Sequence, residues 1–420
     1  MTSAGPARPA DGPSRHDVVT LFATRGLRLF AYGALSVVLV LHLAAVGLTP
    51  GRIGLLLTLT LLGDTVVSLL VTTRADRLGR RRMLALGAAL MMGAGLLFAV
   101  TTDFWLLLLG ATLGILSPSG NEVGPFLAIE QAALSSAVSD QARTQVFARY
   151  TLTGSFATAA GALAGGGLAE GLQHAGWSAL ESYQAVIVLY AALGGALLVL
   201  FGRLSPRVEA QAASRPGPAS WAGFGLHRSR ATVLRLSGLF AVDAFAGGFI
   251  VQSFLAAWLH ARFDAGEALI GAIFLGANVL AGLSALAAAP LARRFGLVNT
   301  MVFSHLPSNL LLLAVPFMPT LPLAAGLLFL RFSISQLDVP TRQSYTMAVV
   351  SPDERAAAAG VTGMARTIGA SLAPVLAAPL YAAPALAWVP FAVCGVLKIG
   401  YDLALWRAFS SHKPPEERSP

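Results

Sequence analysis

Twelve apolar segments, each long enough to cross a bilayer, constrain this chain more than any other feature. A spanning helix needs about 20 mostly apolar residues, and such runs are predicted at 26–47, 52–73, 83–101, 104–134, 144–169, 182–202, 234–260, 267–290, 297–317, 321–347, 356–381 and 385–407. Charged residues make up only 12% of the 420 residues, against about 25% in soluble domains, and the mean hydropathy is +0.70. The sequence therefore predicts an all-α integral membrane protein with twelve transmembrane helices.

The fourth apolar segment is too long for one straight crossing. Its middle reads Ser117-Pro118-Ser119-Gly120-Asn121. Proline and glycine at such a point interrupt the helical hydrogen-bond ladder. We predict a kink or an unwound turn there.

The arginines are distributed unequally between the two sides of the predicted bundle. With loops assigned alternately, one side receives both termini, the central linker and nearly all the arginines, whereas the other receives only Arg52 and Arg262. The positive-inside rule then places both termini in the cytoplasm of a multi-pass cell-membrane protein. Because the charge lies in short loops and not on one face of a domain, no nucleic acid partner is expected. Cys394 is the only cysteine, so no internal disulfide can form.

The chain divides into two similar halves. We predict an N-terminal six-helix half at 1–202, a polar cytoplasmic linker at 203–233 and a C-terminal six-helix half at 234–420. Short matches recur between the halves in the same order, such as Leu29-Phe30-Ala31 with Leu239-Phe240-Ala241, and Gln131 with Gln343. Two like-oriented six-helix halves are typical of parallel repeats related by an axis along the membrane normal.

The predicted loop between the second and third helices carries a recognisable motif. It reads Thr72-Thr73-Arg74-Ala75-Asp76-Arg77-Leu78-Gly79-Arg80-Arg81-Arg82. This resembles the loop signature of the major facilitator superfamily, G-x-x-x-D-R-x-G-R-R, and is echoed after the eighth helix. Asp76, Arg77, Gly79, Arg80 and Arg81 match, while Thr72 replaces the leading glycine.

The resemblance implies a pseudo-symmetric twelve-helix transporter whose motif loop gates the cytoplasmic side. Asp76 would face the N-terminal end of the eleventh helix near Arg355, where the helix dipole and the arginine both favour a carboxylate. Gly79 would supply a tight turn. The alternative is a plain arginine cluster that only fixes topology.

A segment of the fifth helix partly resembles the antiporter signature of the same family, which contains G-P-x-x-G-G. Gly161, Gly165 and Gly166 match, whereas Ala162 replaces the proline. This resemblance favours an exporter. Small residues at this spacing also simply permit close helix packing.

Several acidic residues lie inside the predicted spans, and three of them lie well within a crossing or beside its break. Charges in a membrane are costly and often mark ion pathways, so Asp64, Glu122 and Asp243 are candidates for proton coupling. The alternative for each is a structural ion pair or polar helix contact. Lys398 and Asp402 are spaced as helical neighbours, and we interpret them as a local pair.

Basic and aromatic residues provide candidates for a substrate cavity. Arg331 and Arg366 are predicted near mid-membrane, with Asp338 on the same helical face as Arg331, and Tyr32 lies in the first helix. The two arginines could bind an anionic group bidentately. They could equally neutralise Asp338 and Asp243.

The leading hypothesis is a proton-coupled exporter that moves a small molecule by alternating access. One alternative is an uptake symporter for an organic anion or sugar, and another is a membrane sensor that kept the fold but lost transport. The sequence contains no metal-ligand cluster, nucleotide-binding loop or catalytic triad. We therefore expect no enzyme activity, cofactor or metal, and a monomer whose partners are substrate, protons and lipid.

Overall fold

The computed structural model describes residues 14–137, 140–209, 226–351 and 354–410. The side chains at 73, 76, 77, 135–137, 140–145, 148 and 356 lie outside the described part. All regular structure within these ranges is helical, and three short 3₁₀ turns accompany the α-helices.

Within the described residues, seven α-helices precede the predicted linker and ten follow it. The first set is α1 Arg15–Ala45, α2 Pro50–Leu78, α3 Arg80–Val100, α4 Phe104–Leu113, α5 Phe126–Ala137, α6 Asp140–His174 and α7 Ala179–Gly202. The second set is α8 Arg230–Gly248, α9 Gln252–Phe263, α10 Glu267–Leu286, α11 Ala288–Phe295, α12 Leu297–Ala314, α13 Leu321–Ser335, α14 Asp338–Ala348, α15 Arg355–Leu372, α16 Pro374–Ala382 and α17 Val389–Phe409.

These helices follow the predicted order of crossings. Ten stretches of the described chain are long and apolar enough to span a membrane. The broken pair α4 and α5 occupies the fourth predicted segment, and the continuous α6 covers the fifth. The structure thus confirms an all-helical membrane fold and is consistent with twelve crossings.

The predicted break in the fourth crossing is present. No helix lies between Leu113 and Phe126, and Gly120 and Gly124 have φ angles of 68° and 81°, which side-chain-bearing residues rarely adopt. Four further crossings predicted as continuous are also interrupted. The seventh breaks between Gly248 and Gln252, and the tenth breaks between Ser335 and Asp338. Single residues, Ala287 and Ala373, interrupt the eighth and the eleventh.

Two helices extend beyond their predicted ends. α1 begins at Arg15 because Ser14 and Asp17 form a reciprocal capping box. α2 continues to Leu78, so the backbone of the motif is largely helical and not a loop. Gly79 alone separates α2 from α3, with a φ angle of 100°, as the predicted tight turn requires.

The two halves approach closely at glycines. We call the side of the bundle that carries the start of α1 and the end of α17 the terminal side, and the opposite side the far side. A Cβ atom at Gly166 of α6 would lie 2.1 Å from the Glu267 carbonyl oxygen of α10, and one at Gly54 of α2 would lie 2.7 Å from the Pro374 carbonyl oxygen of α16. Both positions lie toward the far side, where the halves are in backbone contact.

Candidate functional site

An ion-pair cluster joins α1, α5 and the break between α4 and α5; we call it the N-half cluster. Arg28 is fully buried and donates from Nη1 and Nη2 to the two carboxylate oxygens of Glu130, at 2.9 and 2.8 Å. Its Nε donates to Glu122 at 2.9 Å, and Arg25 donates to the other Glu122 oxygen at 2.8 Å. Tyr150 of α6 donates to Glu130. Glu122 therefore has two guanidinium partners.

Asp64 of α2 has a different environment. Its side chain is 8% exposed, and the Ser68 hydroxyl lies 3.5 Å from Oδ1. The backbone amide of Gly124, in the break of the fourth crossing, also faces the carboxyl group. Among the described side chains, no basic group forms an ion pair with Asp64. It is the one of the three predicted coupling acids that lacks such a partner.

A second cluster surrounds Asp243 of α8; we call it the C-half cluster. Lys398 of α17 donates to Oδ1, while Arg366 of α15 lies 2.8 Å and Arg342 of α14 lies 3.5 Å from Oδ2. Arg342 also pairs with Asp338, four residues earlier, at 2.8 Å. Three cations thus contact two carboxylates.

The predicted pair of Lys398 with Asp402 is wrong. Lys398 contacts Asp243, whereas Asp402 accepts from His305 Nδ1 at 2.9 Å and from the Asn309 amide at 3.1 Å. Helical spacing permits the local pair. However, α17 packs between α8 and α12, and both side chains bond to residues of those two helices.

The two mid-membrane arginines have separate roles in the structure. Arg366 pairs with Asp243, one of the two partners considered for it. Arg331 has no ion-pair partner among the described residues; its guanidinium lies 5.0 Å from the Phe332 ring centroid, and its Nε is buried without a hydrogen bond. Asp338 does not neutralise Arg331, because the break after Ser335 restarts the helix and Asp338 pairs forward with Arg342.

Tyr32 is fully buried rather than lining open space. Its hydroxyl donates to the Val123 carbonyl oxygen at 3.3 Å, and its ring stacks on Tyr190 with centroids 6.3 Å apart. Tyr32 of α1 therefore stabilises the break in the fourth crossing.

The described part of the motif is bonded to the linker and to the end of α7. The backbone amides of Arg80 and Arg81 donate to the Glu209 carboxylate, at 2.5 and 3.3 Å, and Arg81 also reaches the Gly202 carbonyl oxygen at 2.9 Å. Glu209 thus caps the N-terminal end of α3, where a negative charge is favoured. The side chains of Asp76 and Arg77 lie outside the described residues.

Arg355 is bonded within its own half. Its Nε donates to the Met347 carbonyl oxygen of α14 at 2.9 Å. The predicted approach of Asp76 to Arg355 stays a prediction.

Polar contacts join the two halves from mid-depth to the far end. The amide of Gln252 donates to Ser36 at 2.7 Å, and the hydroxyl of Ser253 donates to the Pro118 carbonyl oxygen at 2.6 Å. At the far end the Tyr183 hydroxyl of α7 donates to Glu267 of α10 at 2.5 Å. These bonds and the glycine contacts close the far side.

Comparison with known protein families identifies the family to which this chain belongs. The model of the Major Facilitator Superfamily matches residues 21–374. The chain belongs to this superfamily of transporters. An uncharacterized membrane protein of Saccharomyces cerevisiae, YJR124C, is 30% identical over 417 residues, covering 93% of each chain.

Solved structures share the fold at low sequence identity. The nucleoside transporter NupG superposes with a TM-score of 0.72 at 17% identity, covering 95% of this chain and 99% of that one. A bacterial homologue of the human lysosomal transporter Spinster, in an inward-facing unoccupied conformation, gives 0.69 at 17% identity, covering 95% and 96%. The protein is thus a multi-pass member of a transporter family.

Sequence reasoning missed three residues of this arrangement. Arg25 and Arg28 bind the acidic residues of the fourth crossing, and Glu209 caps α3. The position of Arg28 inside the first predicted span could have indicated an ion pair, since an arginine inside the membrane requires a partner. Glu209 offered none, because its contact depends on how the linker folds back.

Proposed function

We propose that this protein is a secondary active transporter that exports a small molecule in exchange for protons, by alternating access. The observation that carries the proposal is Asp64, a buried carboxyl group in the second crossing without a basic partner among the described residues. Its neighbours are a serine hydroxyl and the Gly124 amide.

A carboxyl group in this setting suits reversible proton binding. An isolated buried charge is expensive, and such a group reduces the cost by taking up a proton. Glu122 and Asp243 are less suited, because guanidinium or ammonium groups already compensate their charges. Asp64 also faces the break in the fourth crossing, which contains Glu122 of the N-half cluster. Because this segment has no helical hydrogen bonds, a change in the charge of Asp64 can alter its conformation.

Alternating access requires that the far-side contacts break and that terminal-side contacts replace them. Bonds from Gln252, Ser253 and Tyr183 hold the far side closed. On the terminal side the described part of the motif is bonded to Glu209 of the linker. This arrangement supports a state that is open toward the terminal side, which the arginine distribution assigns to the cytoplasm.

Reconstituted protein tests the coupling. Proteoliposomes containing an internal pH-sensitive dye would report proton movement when each compound of a panel is added, and Asp64→Asn is the diagnostic variant. We expect it to abolish gradient-driven flux but retain substrate exchange, since exchange does not need the proton site to empty and refill. Asp64→Glu keeps the carboxyl group and serves as the control. Full driven flux in Asp64→Asn would overturn the assignment.

An uptake symporter for an organic anion is the second candidate. The observation that favours it is the partly exposed guanidinium of Arg366, whose side chain is 32% exposed. Loaded cells that lose the compound on energisation indicate export, whereas accumulation into empty cells indicates uptake. Ligand binding without flux would instead indicate a sensor.

A further inference from the structure

Arg366 uses little of its hydrogen-bonding capacity. A guanidinium presents several N–H donors in a rigid planar fork. Among the described residues the only hydrogen bond of Arg366 runs from Nη1 to Asp243 Oδ2, at 2.8 Å. The rest of the fork, including Nη2 and Nε, remains available.

The available part of Arg366 faces the interior of the protein and not the lipid. The lipid-facing stripe of α15 is marked by the exposed apolar side chains of Met364, Ile368 and Leu372. At about 100° per residue, Arg366 lies nearly opposite that stripe. The face next to it packs on the seventh crossing, since Gly369 contacts the Ala241 carbonyl oxygen. The 32% exposure of Arg366 therefore arises from open space inside the molecule.

Asp243 does not depend on Arg366. Its Oδ1 accepts from Lys398, and Arg342 remains 3.5 Å from its Oδ2. If Arg366 turned to another anion, Asp243 would keep two cations nearby. The usual penalty for removing a partner from a buried carboxylate would thus be avoided.

The charges of the C-terminal half favour an added anion. In the described part of its membrane interior, Arg331, Arg342, Arg366 and Lys398 face Asp243, Asp338 and Asp402, and Asp402 is itself bonded to His305. Apart from Glu267 at the far end of α10, which accepts from Tyr183, this described interior thus holds one more cation than acids, even with His305 neutral. The described interior of the N-terminal half has the opposite surplus, with Arg25 and Arg28 against Asp64, Glu122 and Glu130.

We propose that Arg366 binds a carboxylate or phosphoryl group of the transported molecule, with the free edge of its guanidinium forming a bidentate pair. In the substrate-free protein Asp243 occupies one Nη of this arginine. The ligand anion joins or replaces that contact, while Lys398 and Arg342 keep Asp243 neutralised. This inference rests on the proposed transport function and specifies its substrate class as small organic anions.

Thermal unfolding of the purified protein in detergent provides the test, because ligands that bind the folded state raise its stability. The probes are benzoate and phenyl phosphate, each compared with neutral benzamide at constant ionic strength. Phosphatidylglycerol compared with phosphatidylcholine distinguishes a lipid headgroup from a water-soluble anion. We expect the two soluble anions, and not benzamide, to raise the melting temperature of the wild type.

Three variants identify the binding residue. Arg366→Gln should fold, since Asp243 keeps Lys398, and should lose the anion-dependent shift. Arg366→Lys keeps the charge but lacks the fork, so its shift should be clearly smaller than that of the wild type; it also serves if Arg366→Gln does not fold. Arg407→Gln removes an exposed arginine near the end of α17 and should respond as the wild type does.

The outcomes separate this inference from the transport proposal. Equal anion shifts in the wild type and in both Arg366 variants, or no stabilisation by either soluble anion, would overturn the substrate class. Stabilisation by phosphatidylglycerol alone would show that the site takes lipid and would also overturn it. If a neutral compound binds and is moved against its gradient, the transporter proposal stands without the Arg366 site.

Discussion

At the scale of single residues, several buried charges of the two clusters each have more than one partner. Arg28 is fully enclosed and is bonded to Glu130 through both terminal nitrogens and to Glu122 through Nε. Phe126 covers the guanidinium, with its ring centroid 4.5 Å away. Such a group tolerates the membrane interior only because its charge and its donors are compensated together.

Glu130→Gln should therefore strongly destabilise the fold. It removes the bidentate acceptor of Arg28 and leaves a buried cation partly unpaired, which costs about 3–5 kcal/mol in soluble examples. We expect a large fall in the detergent melting temperature. Thr24→Val, which removes only a hydroxyl contact to Glu130 at 3.1 Å, is the matched control and should have a much smaller effect. Equal melting temperatures for Glu130→Gln and the wild type would contradict this account.

The sequence located most of these charges, but of their partners it offered only the pairing of Arg366 with Asp243, as one alternative. Asp64, Glu122, Asp243, Arg331 and Arg366 were recognised because a charge inside an apolar run is rare in itself. Their pairing depends on how each helix is rotated toward its neighbours. Spacing along one helix does not carry that information, as Lys398 and Asp402 demonstrate.

At the scale of helices, glycines set how closely the two halves approach. Gly166 and Gly167 are adjacent in α6, but only Gly166 faces the other half: a Cβ atom there would lie 2.1 Å from the Glu267 carbonyl oxygen, whereas one at Gly167 would have no atom within 4 Å. The glycines of the antiporter-like segment thus have a packing role, since Gly161 meets the Phe30 backbone in the same way.

Gly166→Ala should open the far side, and Gly167→Ala should not. Spin labels on cysteines at the exposed positions His174 and Arg262, in a Cys394→Ala background, would report the distance between the halves by pulsed EPR. We expect a longer-distance population in Gly166→Ala and a wild-type distribution in Gly167→Ala. Identical distributions in the two variants would show that this contact does not limit closure.

Glu354 fixes the start of α8. Its carboxylate accepts from the backbone amides of His227, Arg228 and Ser229, at 2.8, 2.8 and 2.9 Å. Burial alone would raise the pKa of Glu354, but these amides outweigh it and lower the pKa to about 2 from an ordinary value of 4.5. The acid thus anchors the segment that enters the C-terminal half.

This lowered pKa predicts a pH dependence. The stabilising contribution of Glu354 should be fully present above about pH 4.5 and lost as the pH falls toward 2, where the native carboxylate takes up its proton. Glu354→Gln should melt earlier than the wild type at neutral pH, and the difference should shrink on acidification across this range. Melting curves measured at a series of pH values would check the sign, and a constant difference would contradict it.

Helix existence was predictable and helix continuity was not. The crossings follow from summed hydropathy, which is local to each segment. The break at Ser117–Asn121 was visible because proline and glycine coincide there. At the break after Gly248, Ser253 just beyond it bonds to Pro118 of the other half. Beyond the break after Ser335, Asp338 pairs with Arg342 of its own helix, and Arg342 in turn contacts Asp243 of α8.

At the scale of the whole molecule, the two halves are similar in architecture but opposite in charge. In the N-half cluster the first crossing supplies arginines and the fourth supplies glutamates. In the C-half cluster the seventh crossing supplies Asp243 and the tenth supplies Arg342, which is equivalent in sequence to Glu130. In the transport mechanism that we propose, Asp64 in the N-terminal half binds the proton and Arg366 in the C-terminal half binds the anion.

Closure of the far side rests on few polar bonds, so one substitution should shift the balance between states. Glu267 is buried and accepts from Tyr183 at 2.5 Å and from Gln173 at 3.3 Å, both in the N-terminal half. Opening the far side breaks these bonds and returns the carboxylate to water. A hydrogen bond to a charged group contributes about 1.5–3 kcal/mol, which corresponds to a population change of about tenfold or more.

Tyr183→Phe removes one of these bonds with almost no change in shape and should enlarge the far-open population seen with the His174 and Arg262 spin-label pair. Tyr190→Phe makes the same chemical change where the hydroxyl bonds to the Ile115 carbonyl oxygen within the N-terminal half. That variant should lose stability without changing the balance between states, because its bond does not cross between the halves. If both variants shift the distance distribution equally, the bond to Glu267 has no specific role in closure. A shift confined to Tyr183→Phe would show that the bond between Tyr183 and Glu267 keeps the far side closed. Only a contact that differs between the two states can change their populations.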